Sequence, residues 1–199
     1  MLAPIELDGG SEFVEKEVLK SLRLLTQKLY LRNPQEFRKQ GLETPHVATA
    51  KLFNQLEHWS DSPMKDLDWQ ENFKLSFVED YPGDRVHTYM SALLTMIMAS
   101  YEHKQTFFFC DALDAQKLYN SARNIETAVW KLSNAKFPTG QQYLLTNTMD
   151  DLVDNLSFER EFGKLIADQD LMALIIEGKN NRVISRIVTS AASFIFLPI

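Results

Sequence analysis

The sequence predicts an all-α fold, a single-domain helical bundle or orthogonal array of about six to eight helices. Three observations support this class. Apolar residues recur at three- and four-residue steps, helix-start signals precede those stretches, and glycine and proline are few, with 7 of each. A chain of 199 residues can bury one core. We therefore assign residues 1–199 to one domain and expect residues 1–10 to form a flexible N-terminal segment.

Start signals define the helices of the first third of the chain. Ser11 can cap a helix that runs to about Leu31, with Val14, Val18, Leu22, Leu25 and Leu29 on its apolar side. Asn33 precedes a proline and has Glu36 three residues later, which is the pattern of a capping box. Gly41 is expected to end that short helix.

Six further helices are predicted in the rest of the chain. Thr44 and Asp68 each precede a helix, and Asp84 begins an apolar helical pattern of about 20 residues. Asp114 caps the clearest helix, in which Leu118, Ala122, Ile125, Val129 and Leu132 alternate steps of four and three. A later helix is predicted from Ser157 to Gly178, and a last apolar helix from about Asn181 to Ile199, which we assign to the core.

Composition excludes several functional classes. The net charge is −6 and no basic run exceeds a pair of residues, so nucleic acid is not an expected partner. Gly-x-Ser-x-Gly, Gly-x-Gly-x-x-Gly and phosphate-loop patterns are missing from the sequence, so no cofactor is predicted. The single cysteine, Cys110, follows three phenylalanines and is expected to be a buried, unreactive thiol.

The first candidate site is a polar row beside the seam of the Asp114 helix. A cleft built from this row and the later helix would let Arg123 and Arg160 receive an anionic ligand. The alternative, which we favour, is an ion-pair network between helices that fixes their register. The candidate residues are Tyr119, Arg123, Glu126 and Trp130 on the first helix, and Glu159 and Arg160 on the second.

An acidic motif offers an alternative metal site. Asp150, Asp151 and Asp154 match the Asp-Asp-x-x-Asp pattern of all-α prenyl and terpenoid synthases, where carboxylates one helical turn apart hold magnesium on a diphosphate. Such a site needs a second motif on a facing helix, and this chain supplies none. A solvated acidic turn before a helix is the simpler interpretation.

Two weaker constellations also have structural explanations. His103, Cys110 and Asp114 surround a predicted helix junction, which is a simpler account than a metal site with no further ligand at suitable spacing. Glu43 and His46 have the Glu-x-x-His spacing of di-iron bundles. Pro45 lies between them, so Glu43 is expected outside the helix.

The stretches LDAQKLYNSARNIETAVWKLSN and NLSFEREFGKLIADQDL, followed by FLPI, resemble a group of helical proteobacterial proteins that are labelled lipoproteins and have no assigned function. The resemblance covers residues 83–199. It implies a lipid-anchored domain at the periplasmic face of a bacterial membrane, although no lipobox cysteine precedes residue 11. The resemblance brings no catalytic residues.

From this resemblance and the missing catalytic motifs, the sequence predicts a non-enzymatic envelope domain that binds a protein or a small apolar or anionic ligand. An exposed C-terminal helix would support a homodimer. The alternative is a small magnesium-dependent enzyme that acts on a diphosphate-type substrate through the aspartate motif. A cytosolic protein is the alternative location.

Overall fold

The structure, a computed structural model, describes residues 8–103, 113–147, 149–150, 153–154, 156–180, 183–186 and 195–199. The all-α class is confirmed. Within the described residues lie seven α-helices: α1 Asp8–Arg32, α2 Pro34–Arg38, α3 Pro45–Glu57, α4 Trp69–Leu75, α5 Arg85–Ser100, α6 Ala115–Asn134 and α7 Ser157–Asn180. Two 3₁₀-helices, Trp59–Asp61 and Pro63–Asp66, follow α3.

Helix α5 lies at the centre of the molecule. Nearly all of its residues are buried, and it packs against α1, α2, α3, α4 and α6. A helix that is buried on all sides belongs in a core, and the polar side chains of α5, such as Arg85 and Thr88, make hydrogen bonds there. Helices α6 and α7 pack against each other, and α1 closes the other side of α7.

Several predicted helix starts are confirmed by their hydrogen bonds. The Thr44 side chain accepts from the backbone N–H of Val47, and Asp68 accepts from that of Glu71. Asp84 accepts from His87 N–H at 2.8 Å, and Asp114 from Gln116 N–H at 2.8 Å. The predicted apolar sides of α1 and α6 also lie in the core, apart from the half-buried Val129.

Two predictions about the first helices are wrong. Helix α1 begins at Asp8, so Ser11 lies inside the helix and residues 8–10 are helical; residues 1–7 lie outside the described part. Asn33 precedes α2, but its side chain makes no capping hydrogen bond. Glu36 does not close a capping box either, because its carboxylate accepts instead from Arg85 N–H at 2.7 Å and from the Lys39 ammonium at 2.8 Å.

The end of the chain also differs from the prediction. Helix α7 continues past Gly178 to Asn180. The predicted last helix is wrong where the structure describes it, because residues 183–186 and 195–199 are not helical. The core assignment holds for Ile184, which is buried, whereas Val183 and Ile195 are exposed. Residues 181–182 and 187–194 lie outside the described part.

None of the described helices combines the length and the apolar character that crossing a bilayer requires.

Candidate functional site

A row of three side-chain amides runs along one face of α6. Gln116, Asn120 and Asn124 are spaced by four residues, which places them one above the other on a helix. The Gln116 Nε2 donates to Asn120 Oδ1 at 2.9 Å, which connects the first two. Asn124 is fully buried and Asn120 is 6% exposed. Buried amides need partners for both their N–H and C=O groups, and here the partners are backbone groups except at Asn120 Oδ1, which accepts from Gln116.

Asn124 binds the backbone N–H and C=O of Leu197 by two hydrogen bonds. Its Nδ2 donates to Leu197 C=O at 2.9 Å, and its Oδ1 accepts from Leu197 N–H at 2.6 Å. Asn120 Nδ2 donates to the carbonyl of Pro198 at 2.9 Å. The row on α6 therefore binds a non-helical segment, residues 195–199, through its main chain.

Gln116 repeats this arrangement on a second non-helical segment. Its Oε1 accepts from Ser185 N–H at 2.8 Å and its Nε2 donates to Ser185 C=O at 3.2 Å. Glu177 of α7 holds the neighbouring residues, because Oε1 accepts from Ile184 N–H at 2.9 Å and Oε2 pairs with Arg186 at 2.8 Å. Segments 183–186 and 195–199 thus lie along the same polar face of α6.

Aromatic rings hold the other side of the segment at Phe196. Its ring stacks on Phe73 with a centroid distance of 5.0 Å and meets Trp69 edge-on at 5.1 Å. Phe73 is fully buried and contacts Tyr89 of α5 edge-on at 5.3 Å. Because α4 carries the rings and α6 carries the amides, residues 195–199 lie between these two helices. We call this binding surface, formed by Trp69, Phe73, Asn120 and Asn124, the α4–α6 groove.

The predicted polar cleft is only partly assembled. The Arg123 guanidinium lies 3.1 Å from the Glu126 carboxylate and 2.7 Å from that of Asp170 on α7, and 5.1 Å from the centre of the Tyr119 ring. Burial raises the pKa of Glu126, while Arg123 opposes that rise and Asp170 adds to it. The Arg123–Asp170 pair joins α6 to α7 as an interhelical ion pair, but its partner on α7 is Asp170 and neither Glu159 nor Arg160 of the predicted network.

The remaining cleft residues do not join this group. Arg160 is exposed, and its Nε lies 3.7 Å from Glu161 of its own helix. Ten residues of α7 separate Arg160 from Asp170, a rise of about 15 Å along the axis. Glu159 accepts a hydrogen bond from Asn147. Trp130 is half-buried, and its carbonyl accepts from Asn134 Nδ2 at 2.8 Å. One cleft with two arginines is therefore not formed, and ligand binding by these residues stays a prediction.

Two residues of the aspartate motif, Asp150 and Asp154, lie on short strands and not on a helix. Asp150 ends the strand β1 Met149–Asp150, and Asp154 ends β2 Val153–Asp154, which pairs with β1 in antiparallel register. Asp151 lies outside the described residues. The synthase interpretation requires helical spacing between its carboxylates, so this backbone gives it no support. Among the described residues no group of three His, Cys, Asp or Glu side chains has metal-binding geometry.

His103 lies at the predicted helix junction. It follows α5 with a positive φ of 55°, and its ring stacks on Trp59 at 5.8 Å. Burial lowers the pKa of His103, and nearby Lys65 adds to that effect. Cys110 lies outside the described residues, so the predicted inert thiol stays a prediction. Asp114 serves as the cap of α6, and Glu43 lies outside α3, as expected.

A buried charged network was missed from sequence. Asp84 accepts from the Tyr30 hydroxyl at 2.9 Å and from Gln40 Nε2 at 3.1 Å. Burial raises the pKa of Asp84, while hydrogen bonds from His87 N–H and Tyr30 oppose the rise. Burial and the Asp84 charge raise the pKa of Tyr30. These groups join α1, the turn after α2 and the start of α5 across distant parts of the sequence, so no local pattern reveals them.

Arg85, at the start of α5, makes a second set of buried contacts. Its guanidinium donates to the carbonyls of Ser76, Val78 and Glu79 at 2.7 to 3.0 Å. It also lies 5.4 Å from the ring centre of Phe137 and 5.0 Å from that of Tyr143. Arg85 therefore ties the loop before α5 to the loop after α6.

Comparisons with known proteins leave the chain without an assigned family. A scan against protein-family models, a search of curated proteins and a search of solved structures each found no match. The resemblance to lipoprotein-labelled helical proteins accordingly stays a prediction.

Proposed function

We propose that the protein is a non-enzymatic interaction domain that binds an extended peptide segment in the α4–α6 groove. The observation that carries this function is the two-point contact of Asn124 with the backbone C=O and N–H of Leu197, at 2.9 and 2.6 Å. Residues 195–199 occupy the groove as a segment of the same chain. A segment of a partner protein would bind in the same groove after residues 195–199 leave it.

The chemistry of the groove suits a peptide. An extended chain outside a sheet has unpaired backbone N–H and C=O groups, and their burial requires partners. A carboxamide presents an N–H donor and a carbonyl acceptor side by side on one carbon, so it can satisfy both the C=O and the N–H of one residue. Placing these amides on α6 fixes their spacing, because a helix is more rigid than a loop.

Main-chain contacts supply affinity and side-chain pockets supply selectivity in known modes of peptide recognition. The groove has both parts: amides on α6 for the main chain, and the rings of Trp69 and Phe73 for one side chain. The sequence predicts a protein or a small apolar or anionic ligand as the partner. The combination of main-chain and side-chain contacts in the groove favours a protein segment among these.

The proposed location rests on the sequence resemblance alone. A lipid-anchored domain at the periplasmic face of a bacterial membrane would present the groove to extended segments of envelope proteins. The native sequence upstream of Met1 would test this location directly, because a signal and a lipidated cysteine would have to precede the domain.

The binding test uses the full chain labelled with ¹⁵N and an unlabelled peptide. The peptide carries residues 195–199 after a Lys-Lys-Gly linker and is amidated. We expect the side-chain amide resonances of Asn120 and Asn124 to shift on titration. Because the chain's own segment must first leave, the apparent affinity is reduced by the fraction of molecules with an open groove.

Two variants on the same helix provide the matched comparison. Asn124→Ala should weaken binding by roughly tenfold or more, since it leaves the backbone N–H and C=O of one peptide residue unpaired. Asn134→Ala removes the same side chain from the end of α6, where its amide donates only to the local Trp130 carbonyl among the described contacts. It should bind the peptide like the wild type. Equal loss in both variants, or no shift at millimolar peptide, would contradict the proposed function.

A further inference from the structure

We propose that the partner segment is uncharged and has the pattern aromatic, any non-proline residue, proline, apolar, a specificity that rests on the proposed function. Each position of this pattern is inferred from a different contact made by residues 195–199.

The first position requires an aromatic ring. Phe196 stacks on Phe73 with an interplanar angle of 28° and meets Trp69 at 74°. Offset stacking and edge-on contacts are the arrangements that aromatic pairs prefer, and an aliphatic side chain cannot form them. Tyr89 lies against Phe73 from α5, which fixes the wall of this pocket from behind.

The second position is recognised by its main chain. Asn124 uses both the N–H and the C=O of Leu197, so a proline there would remove one of the two hydrogen bonds. The Leu197 side chain is only half-buried. This position should therefore accept many side chains, provided that the residue keeps its backbone N–H.

The third position favours proline. Asn120 contacts only the carbonyl of Pro198, so the N–H that proline lacks is not needed. Proline also restricts the residue before it to an extended backbone, which is the conformation that lets Asn124 reach both groups of Leu197. Pro198 is exposed, whereas Ile199 packs against the core, which selects an apolar fourth position.

The groove contributes neutral polar groups to this contact. The amides of Asn120 and Asn124 carry no charge, and residues 195–199 contain no ionisable side chain. Burial of a charge beside carboxamides lacks the compensation that a counter-ion gives, so a charged residue at the first or fourth position should be rejected.

The test measures peptide selectivity on the full chain carrying Phe196→Ala. This substitution weakens the internal segment and leaves the groove residues intact. The reference ligand is the Lys-Lys-Gly peptide of residues 195–199, and binding is followed by calorimetry. Three single changes are compared: phenylalanine to leucine at the first position, N-methylation of the leucine at the second, and leucine to glutamine at the second.

The pattern predicts a distinct order of affinities. Loss of the ring and N-methylation should each weaken binding by roughly tenfold or more, whereas the glutamine peptide should bind within about threefold of the reference. An N-methylated peptide that binds as well as the reference would overturn main-chain recognition. Equal binding by the leucine peptide would overturn the aromatic requirement. If no peptide binds, the proposed function itself fails.

The wild-type chain provides a second measurement should Phe196→Ala be unstable. At millimolar concentration the same peptides should shift the Asn124 side-chain amide in the same order of effectiveness. Sedimentation of the wild type distinguishes another occupant. A dimer that Asn124→Ala dissociates, and Asn134→Ala does not, would assign the groove to a second copy of this chain and overturn a separate partner.

Discussion

Asn33 and Asn124 make the same contact in two different settings. Asn33 holds Leu145 through its N–H at 2.8 Å and its C=O at 2.9 Å, as Asn124 holds Leu197. Asn33 also donates to Leu29 C=O at 2.8 Å, and both neighbours of Leu145 are buried. By contrast, the neighbours of Leu197 are the half-buried Phe196 and the exposed Pro198. The two contacts therefore differ in their flanks: buried residues lie on both sides of Leu145, and an exposed residue lies on one side of Leu197.

The difference between these settings explains why one contact is structural and the other is a candidate site. Around Leu145 the chain is fixed from several directions, because Arg85 also lies over the rings of Phe137 and Tyr143 in the same loop. Segment 195–199 is held by the amides of α6 and the rings of α4. Local opening needs less free energy where fewer contacts must break, so segment 195–199 should open far more often than the loop.

Replacement of Arg85 should have the largest effect on the loop side of this comparison. Arg85 is 4% exposed, and Arg85→Met would leave the carbonyls of Ser76, Val78 and Glu79 without their donor. We expect the free energy of unfolding to fall by about 3–5 kcal/mol in chemical denaturation. Arg85→Lys should recover only part of it, because an ammonium cannot span the fork of a guanidinium.

Arg123→Met is the matched control for that prediction. Arg123 contacts two carboxylates near the surface, where an ion pair contributes about 1 kcal/mol or less. An equal loss from Arg85→Met and Arg123→Met would refute the view that Arg85 joins the two loops.

The two asparagines give the most direct test. Asn33→Ala removes three hydrogen bonds of a fully buried side chain, two to the backbone of Leu145 and one to the carbonyl of Leu29, and should lower the free energy of unfolding by about 2–4 kcal/mol. Asn124→Ala should cost about 1 kcal/mol, because the released segment can be hydrated. Hydrogen exchange distinguishes them further. Asn124→Ala should speed exchange at Leu197 and leave Leu145 protected, and fast exchange at both amides would show that the segment does not open independently.

Sequence reasoning succeeded where the partners are close in the chain. Asp84 and Asp114 cap helices two or three residues away, so type and spacing alone predict the contact. It failed at Asn33 and Glu36, whose partners Leu145 and Arg85 lie 112 and 49 residues away. Both residues fit a capping box locally, but tertiary contacts use the same polar atoms instead.

The candidate site was missed for the same reason. Asn124 and Leu197 are 73 residues apart, and the predicted terminal helix would have left the Leu197 backbone groups paired within it. The four-residue spacing of Gln116, Asn120 and Asn124 is present in the sequence, but neutral amides give no sign of what they bind until a segment lies against them. The charges of Arg123 and Glu126 on the same helix suggested a ligand, so the predicted site was placed there.

The smallest expected effect is a pH dependence on the loop side. Burial raises the pKa of the Asp84 carboxyl above its ordinary value of 3.8, so the folded chain holds this proton more tightly than the unfolded chain. The free energy of unfolding should therefore fall as pH rises from about 3.8 to the raised pKa, and Asp84 should add no slope above it.

Two substitutions should move this slope in opposite ways. Asp84→Asn should remove it from denaturation curves measured across pH 3–7, beyond any constant loss of stability. Tyr30→Phe removes a hydrogen bond that favours the carboxylate and should extend the slope to higher pH. The Asn124→Ala variant should keep the wild-type slope, because the residues of the α4–α6 groove have no titratable side chain. A slope that changes with Asn124 would instead mean that the groove and the buried network open together.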